Sequence, residues 1–180
     1  MLSRCARIEI VTGAPEDQTV EADEFDRFVA GLDYPMFVVT AAHEAVQAGC
    51  LVGFTTQASI RPPRFLVCLS VKNHTYDVAR HASVLAVHLL APTQHELAEL
   101  FGGETGDEVD KFDRCRWQPG RDGVPLLEDC QRRIVGRILE QRPLGDHVGF
   151  LLDPTIVDVT SSRHGLTFEQ AREITPGHPA

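Results

Sequence analysis

A chain of 180 residues, 43% hydrophobic and 24% charged, can form one globular domain that buries roughly 70% of its unfolded surface without disulfide or metal staples. Its 26 acidic and 17 basic residues leave a net charge of −9, which repels phosphodiester backbones and excludes nucleic acid as an expected partner. An anionic cofactor would need a local basic pocket set against that field. The cysteines at 5, 50, 68, 115 and 130 contain no C-x-x-C pair, so neither a disulfide framework nor a metal site is expected. Cys50 and Cys68 lie in apolar runs and read as small core residues. No secretory h-region and no apolar run near the ~18 residues of a membrane span occurs, which predicts a protein of the reducing cytoplasm without membrane association.

The first strand signal covers residues 7–12. Asp23 is placed to cap a helix in which Phe25, Phe28, Val29 and Leu32 recur at helical spacing. Residues 36–41 read as a buried strand, 43–47 as a polar hairpin loop and 49–54 as the returning strand. The uncharged polar run Thr55-Thr56-Gln57-Ala58-Ser59 precedes Arg61-Pro62-Pro63, where the double proline imposes an extended connection. Residues 65–70 form the next strand, Thr75 is placed to cap a short helix reaching about residue 82, and 84–90 is again a strand. Thr93 and Glu96 have capping-box spacing ahead of Leu97, Ala98, Leu100 and Phe101. A glycine-rich segment, 102–106, follows as a helix stop and surface loop. Two long strands, 131–141 and 147–160, are joined by Pro143-Leu144-Gly145-Asp146, and a short helix is expected over 168–174. Short strands, tight turns and brief helices predict a mainly β fold, a closed barrel with helical caps. The chain divides into an N-terminal segment (1–22), the barrel domain (23–160) and a polar tail (161–180).

Two neighbouring strands would bring Thr55, Thr56, Gln57 and Ser59 beside Ser70-Val71-Lys72-Asn73-His74-Thr75 at one rim. Hydroxyls and backbone N–H groups suit a flat hydrogen-bonding ring, and Lys72, Asn73 and the helix start near Thr75 suit a phosphate. Read by residue type alone, these segments serve more ordinarily as turns and caps.

An ordered set of motifs adds to this reading. Tyr34-Pro35 precedes Val38-Val39-Thr40-Ala41. Gly49 through Pro63 (GCLVGFTTQASIRPP) leads into Leu66-Val67-Cys68-Leu69. Lys72-Asn73-His74-Thr75, Val87-His88-Leu89-Leu90, Gln94 through Phe101 and Lys111-Phe112 follow, and Gly145-Asp146-His147 closes the series. In this order the chain resembles the flavin reductase family from about residue 34 to 159. The resemblance implies an FMN-binding split β-barrel, Greek-key-like with helical caps, that acts as a homodimer. It implies FMN as cofactor, with FAD as the alternative, NADH or NADPH as co-substrate, and a monooxygenase component as a recipient of reduced flavin. Carried over position by position, Gly53, Phe54, Thr55, Thr56, Gln57, Ala58 and Ser59 would contact the ring and ribityl chain. Lys72, Asn73 and Thr75 would hold the phosphate, and His147 would face the nicotinamide as the catalytic-side candidate. In such a site the flavin carries the redox chemistry, and the protein supplies orientation and electrostatics.

The chain departs from the family where many relatives have Ser-Ser and this one has Gly53-Phe54. Gln57 likewise stands where a small hydroxyl residue is more usual. These departures motivate a second expectation, a non-catalytic FMN-binding carrier or sensor; a third keeps the barrel for haem or pyridoxal phosphate. Asp153-Pro154 predicts a break or bulge in the last strand. His74, His81, His88 and His95, seven apart, fall on different elements and define no common face. Arg132, Arg133 and Arg137 read as solvated strand positions or interface partners. Phe112 and Trp117 read as core filling, with shielding of a flavin face as the alternative. No nucleophile elbow or Ser-His-Asp order is present, which argues against a hydrolase.

Overall fold

The computed structural model describes residues 22–160 and 164–177. The strand expected at 7–12 lies outside them. The chain separates into two units, Met1–Leu32 and Asp33–Ala180. The first contains helix α1 (Ala22–Val29), which Ala30 N continues by donating to Asp26 O at 2.9 Å. Asp23 is therefore the second helical residue and not its cap.

The second unit is built on one antiparallel sheet. Strands β1 (Phe37–His43) and β2 (Val46–Val52) form a hairpin in which His43 pairs with Val46. The intervening two-residue turn places Glu44 at φ 54°, in the left-handed region. Strands β3 (Thr55–Ser59) and β4 (Arg64–Ser70) form the next hairpin, followed by helix α2 (His74–Ala79) and β5 (Val84–Leu89). Helix α3 (His95–Gly103), the short strands β6 (Trp117–Pro119) and β7 (Pro125–Leu127), and the long hairpin β8 (Arg132–Pro143) and β9 (His147–Val159) complete the body. Helix α4 (Phe168–Ala171) ends the described chain.

The strand order is β2-β1-β5-β8-β9-β4-β3, with β6 and β7 as a separate pair. Its two edge strands, β2 and β3, are consecutive in sequence. Only three Cα steps separate Val52 from Thr55, at most about 11 Å of chain. The sheet therefore has to curl until its edges meet at Gly53-Phe54. Val39, Val67, Leu69, Leu85, Phe150 and Leu152 fill the interior of the curl. A second apolar cluster, with Phe101, Phe112, Leu127 and Leu166, packs outside it.

Several local expectations are corrected by the tertiary context. Asn73, not Thr75, caps α2: its Oδ1 accepts from Thr75 N at 2.9 Å, and Thr75 is buried within the first turn. The Thr93/Glu96 box does not form. Gln94 precedes α3, and its Oε1 accepts instead from Ala91 N at 2.7 Å, which ties the loop rather than the helix. The tail helix is shorter than expected and carries its own capping box, Thr167 with Gln170. Phe112 and Trp117 pack edge to face, with ring centres 5.5 Å apart, and fill the core.

The bulge expected at Asp153-Pro154 is present. Val135 pairs with Ile156 and Gly136 with Pro154, so Thr155 is extra and its hydroxyl donates to Val135 O at 3.0 Å. The β8–β9 turn places Gly145 at φ 96°, a conformation glycine adopts without strain. Arg133 and Arg137 pair across this hairpin with Asp158 and Asp153, at 2.8 and 2.9 Å. The segment 164–177 packs on the sheet unit. Leu166 bridges Met36 and Leu90 through two backbone hydrogen bonds of 2.7 Å, and Phe168 N donates to Tyr34 O at 2.8 Å. Among the described residues no helix is long and apolar enough to cross a membrane.

Candidate functional site

The point where the curled sheet closes is also where its polar residues gather. Beside Gly53-Phe54 lies a cavity of about 440 Å³. Gly53, Phe54, Asn73 and His147 line it together with Ser70. Topology brings them together: Ser70, the last residue of β4, pairs with His147, the first of β9. Val71 N then donates to Asp146 O at 3.0 Å, which clips the loop after β4 to the β8–β9 turn. Residues 70 and 147 are far apart in sequence and adjacent in space for that reason.

His147 is largely covered, and its Nδ1 lies 2.8 Å from Asp146 Oδ1. A carboxylate only accepts, so Nδ1 carries the proton and Nε2 is the acceptor of the neutral ring. The same hydrogen bond holds the Asp146 carboxyl below the usual carboxylate range. One wall of the cavity is aromatic. Phe168 stacks on Tyr34 at 4.9 Å, Tyr34 meets Phe54 at 6.4 Å and Phe54 meets His147 at 5.2 Å. Burial, and secondarily Asp33, pushes the Tyr34 phenol above its ordinary value, so it stays a neutral hydroxyl.

The other expected binding residues sit elsewhere. Thr56, Gln57 and Ala58 are exposed on β3, Thr55 and Ser59 are half-buried there, and none of the five lines the cavity. Lys72 is exposed on the turn, with its backbone N donating to Ser70 Oγ at 3.3 Å. Thr75 is buried in the first turn of α2, beside Cys50.

The cavity also holds residues that sequence reasoning missed: Tyr34, Cys50, Lys111, the 102–106 loop and the tail residues Phe168 and Arg172. Tyr34, Cys50 and Lys111 stand in the ordered motifs without an assigned role, and the glycine-rich composition of 102–106 reads more simply as a helix stop. Lys111 and Arg172 against Glu104 give the cavity a local basic balance within a chain of net charge −9.

A flat heteroaromatic cofactor fits this donor set. Met36, Val52, Leu69 and Phe101 offer apolar contact, Ser70, Asn73 and His147 offer polar contact, and the missing Cβ of Gly53 lets the Tyr34 ring close against the strand as a wall. A wider groove of about 550 Å³ is lined by Phe37, Phe65, Val87, Ile134 and Val157 and contains none of the expected binding residues. Its lining is mainly apolar, with Arg132 and Arg133 at the side.

Comparison with known proteins shows the family. An FMN reductase (NADH), RutF, of Enterobacter sp. is 30% identical over 129 residues, covering 72% of this chain and 78% of that protein. The 4-hydroxyphenylacetate 3-monooxygenase reductase component of Klebsiella oxytoca is 26% identical over 145 residues, covering 80% and 85%. The Streptomyces globisporus NADH:FAD oxidoreductase SgcE6 superposes with a TM-score of 0.74 at 22% identity, covering 84% of this chain and 92% of that one. The family described as flavin reductase like domain matches residues 29–174, which takes in the sheet, the cavity and the tail helix, and the chain belongs to that family.

Proposed function

We propose that this protein is an NAD(P)H-dependent flavin reductase that holds FMN, or alternatively FAD, in the 440 Å³ cavity and passes reduced flavin to a monooxygenase component. The observation that carries the reading is the convergence of Gly53, Phe54, Asn73 and His147 on that one cavity. The names of the relatives, NADH-dependent FMN and FAD reductases and a monooxygenase reductase component, support the donor and the recipient.

Bound flavin would supply the two-electron chemistry between nicotinamide and acceptor. The chain supplies placement. Gly53 leaves the volume that seats the Tyr34 ring, the Tyr34–Phe54 wall covers one side of the cavity, and His147 Nε2 presents an acceptor to the nicotinamide amide. The test is an absorption spectrum of the protein with FMN, followed by NADH in the same cuvette. Bleaching faster than free flavin supports the reading. Bound flavin that stays oxidised favours the carrier or sensor reading, which the bulk of Phe54, 55% exposed at the rim, motivates. His147→Ala is expected to slow NADH-dependent bleaching by roughly 10- to 100-fold while flavin binding persists; an unchanged rate would remove His147 from the nicotinamide site.

The working form in this reading is a homodimer in the cytoplasm. Val157 and Val159, each 60% exposed, edge the 550 Å³ groove. A second copy is the occupant that fits, because Tyr34 lines both the groove and the cavity and covering one would complete the other. Light scattering should give twice the 19.9 kDa chain mass, and Val157→Asp should halve it. A wild-type mass of a single chain would refute the assembly.

A further inference from the structure

Lys111 opens a short 3₁₀ turn, Lys111–Arg114, but its side chain runs inward and the residue is only 5% exposed. Nζ donates to Gly49 O at 3.2 Å and to Phe101 O at 3.3 Å, and lies 5.6 Å from the centre of the Phe101 ring. Both acceptors need a partner. Gly49 is on the edge strand β2, and Phe101 is in the last turn of α3, where carbonyls have no intrahelical donor. These contacts account for a brace between β2 and α3. They do not account for a charge, since a neutral amide could serve two carbonyls.

A buried ammonium without a counter-ion is costly. Among the described residues no carboxylate forms an ion pair with Nζ, and the acid nearest in influence, Glu104, pairs with Arg114 at 3.2 Å. The Cys50 thiol beside it is pushed up to about 11 by burial and is neutral at pH 7. Burial also pulls Lys111 below the ordinary lysine range, the direction expected of an ammonium lacking its anion. Two of its three donors are committed, and the side chain borders the 440 Å³ cavity.

The ring of oxidised FMN is uncharged, and the cofactor's full charge is on its phosphate. We propose that Lys111 is the counter-ion of that phosphate, a reading that rests on the flavin assignment of the cavity. Of the residues expected to hold the phosphate, Thr75 is buried beside Cys50, Asn73 lines the cavity and Lys72 is exposed; Lys111 would add to them a buried charge. Gly49 precedes Gly53 by four residues, about 13 Å of strand, so β2 would hold the phosphate end and the ring end of one cofactor at its two ends.

The test is fluorescence titration of the full chain with FMN and with riboflavin, which lacks the phosphate. Lys111→Met and Lys111→Gln are each expected to weaken FMN binding roughly 10- to 100-fold, and to leave riboflavin within about twofold of wild type. Lys111→Gln keeps donors for both carbonyls, so it separates the charge from the brace even if Lys111→Met fails to fold. Unchanged FMN affinity in Lys111→Gln, or an equal loss for riboflavin, overturns the proposal and leaves the flavin site standing. A wild type that binds neither flavin overturns both.

Discussion

Gly53→Ser, which adds a Cβ and a hydroxyl at the closure of the sheet, is expected to destabilise this protein by about 1–3 kcal/mol and to weaken flavin binding. A Cβ at position 53 would lie 2.3 Å from Tyr34 Cε2 and 3.3 Å from Met36 Sδ. Tyr34 cannot simply withdraw. Its ring is stacked on Phe168, and its carbonyl accepts from Phe168 N. The displaced ring has the cavity as its open side, so the same substitution that strains the core also obstructs the cofactor. The loss should reverse in part in the double variant Gly53→Ser/Tyr34→Ala, because the two residues share one volume and their effects are coupled. Thermal melts and FMN titrations of the four proteins decide the matter. A single variant with unaltered melting temperature and affinity would show that Tyr34 does not occupy that space.

Stability should also fall by about 3 kcal/mol as pH drops from 6.5 to 4, through His88. His88 is fully buried on β5, its Nδ1 lies 3.1 Å from Val38 O, and its Nε2 accepts from Leu127 N at 3.1 Å. With Nδ1–H donating and Nε2 accepting, the ring has no site for a second proton. Burial, against a smaller opposing contribution from the Val38 carbonyl, lowers its pKa from 6.5 to about 4. The unfolded chain therefore takes up a proton that the native state refuses across this window. The stabilisation is complete above pH 6.5 and is lost as pH falls towards 4. His88→Gln retains a donor and an acceptor without the titration, so its stability should vary less across that interval by the same amount. Urea unfolding of both proteins at pH 7 and pH 4.5 is the measurement; parallel pH dependences would rule out His88 as the acid-sensitive group.

The neutral core role of His88 also explains why the seven-residue histidine spacing has no functional content. Its members fall on a helix start, a turn, a buried strand and another helix start. Legibility at the site was uneven for a similar reason. Gly53, Phe54, Asn73 and His147 stand in motifs whose order the chain shares with its family, and they meet at one cavity. Thr55 to Ser59 belong to the same motif, but they follow the point at which the strand crosses to the other edge of the sheet, and β3 carries them onto the outer surface. Lys111 stands in one of the motifs, Lys111-Phe112, but no role attaches to it there. A lysine beside phenylalanine in a polar turn looks solvated until the fold turns its side chain inward.

By itself the sequence determined the class of fold, the positions of the main strands and turns, and the family. Apolar alternation, proline, glycine and cap residues act over a few neighbours, and those interactions are the same in any tertiary setting. Which residues share a cavity was decided only by tertiary structure. The two-residue link at Gly53-Phe54 forces the sheet to curl, the pairing of Ser70 with His147 joins two distant segments, and the tail closes one wall through Leu166 and Phe168. The fit of Gly53 to Tyr34 and of Lys111 to two orphan carbonyls depends on distances between segments far apart in the chain, and no local pattern encodes such distances.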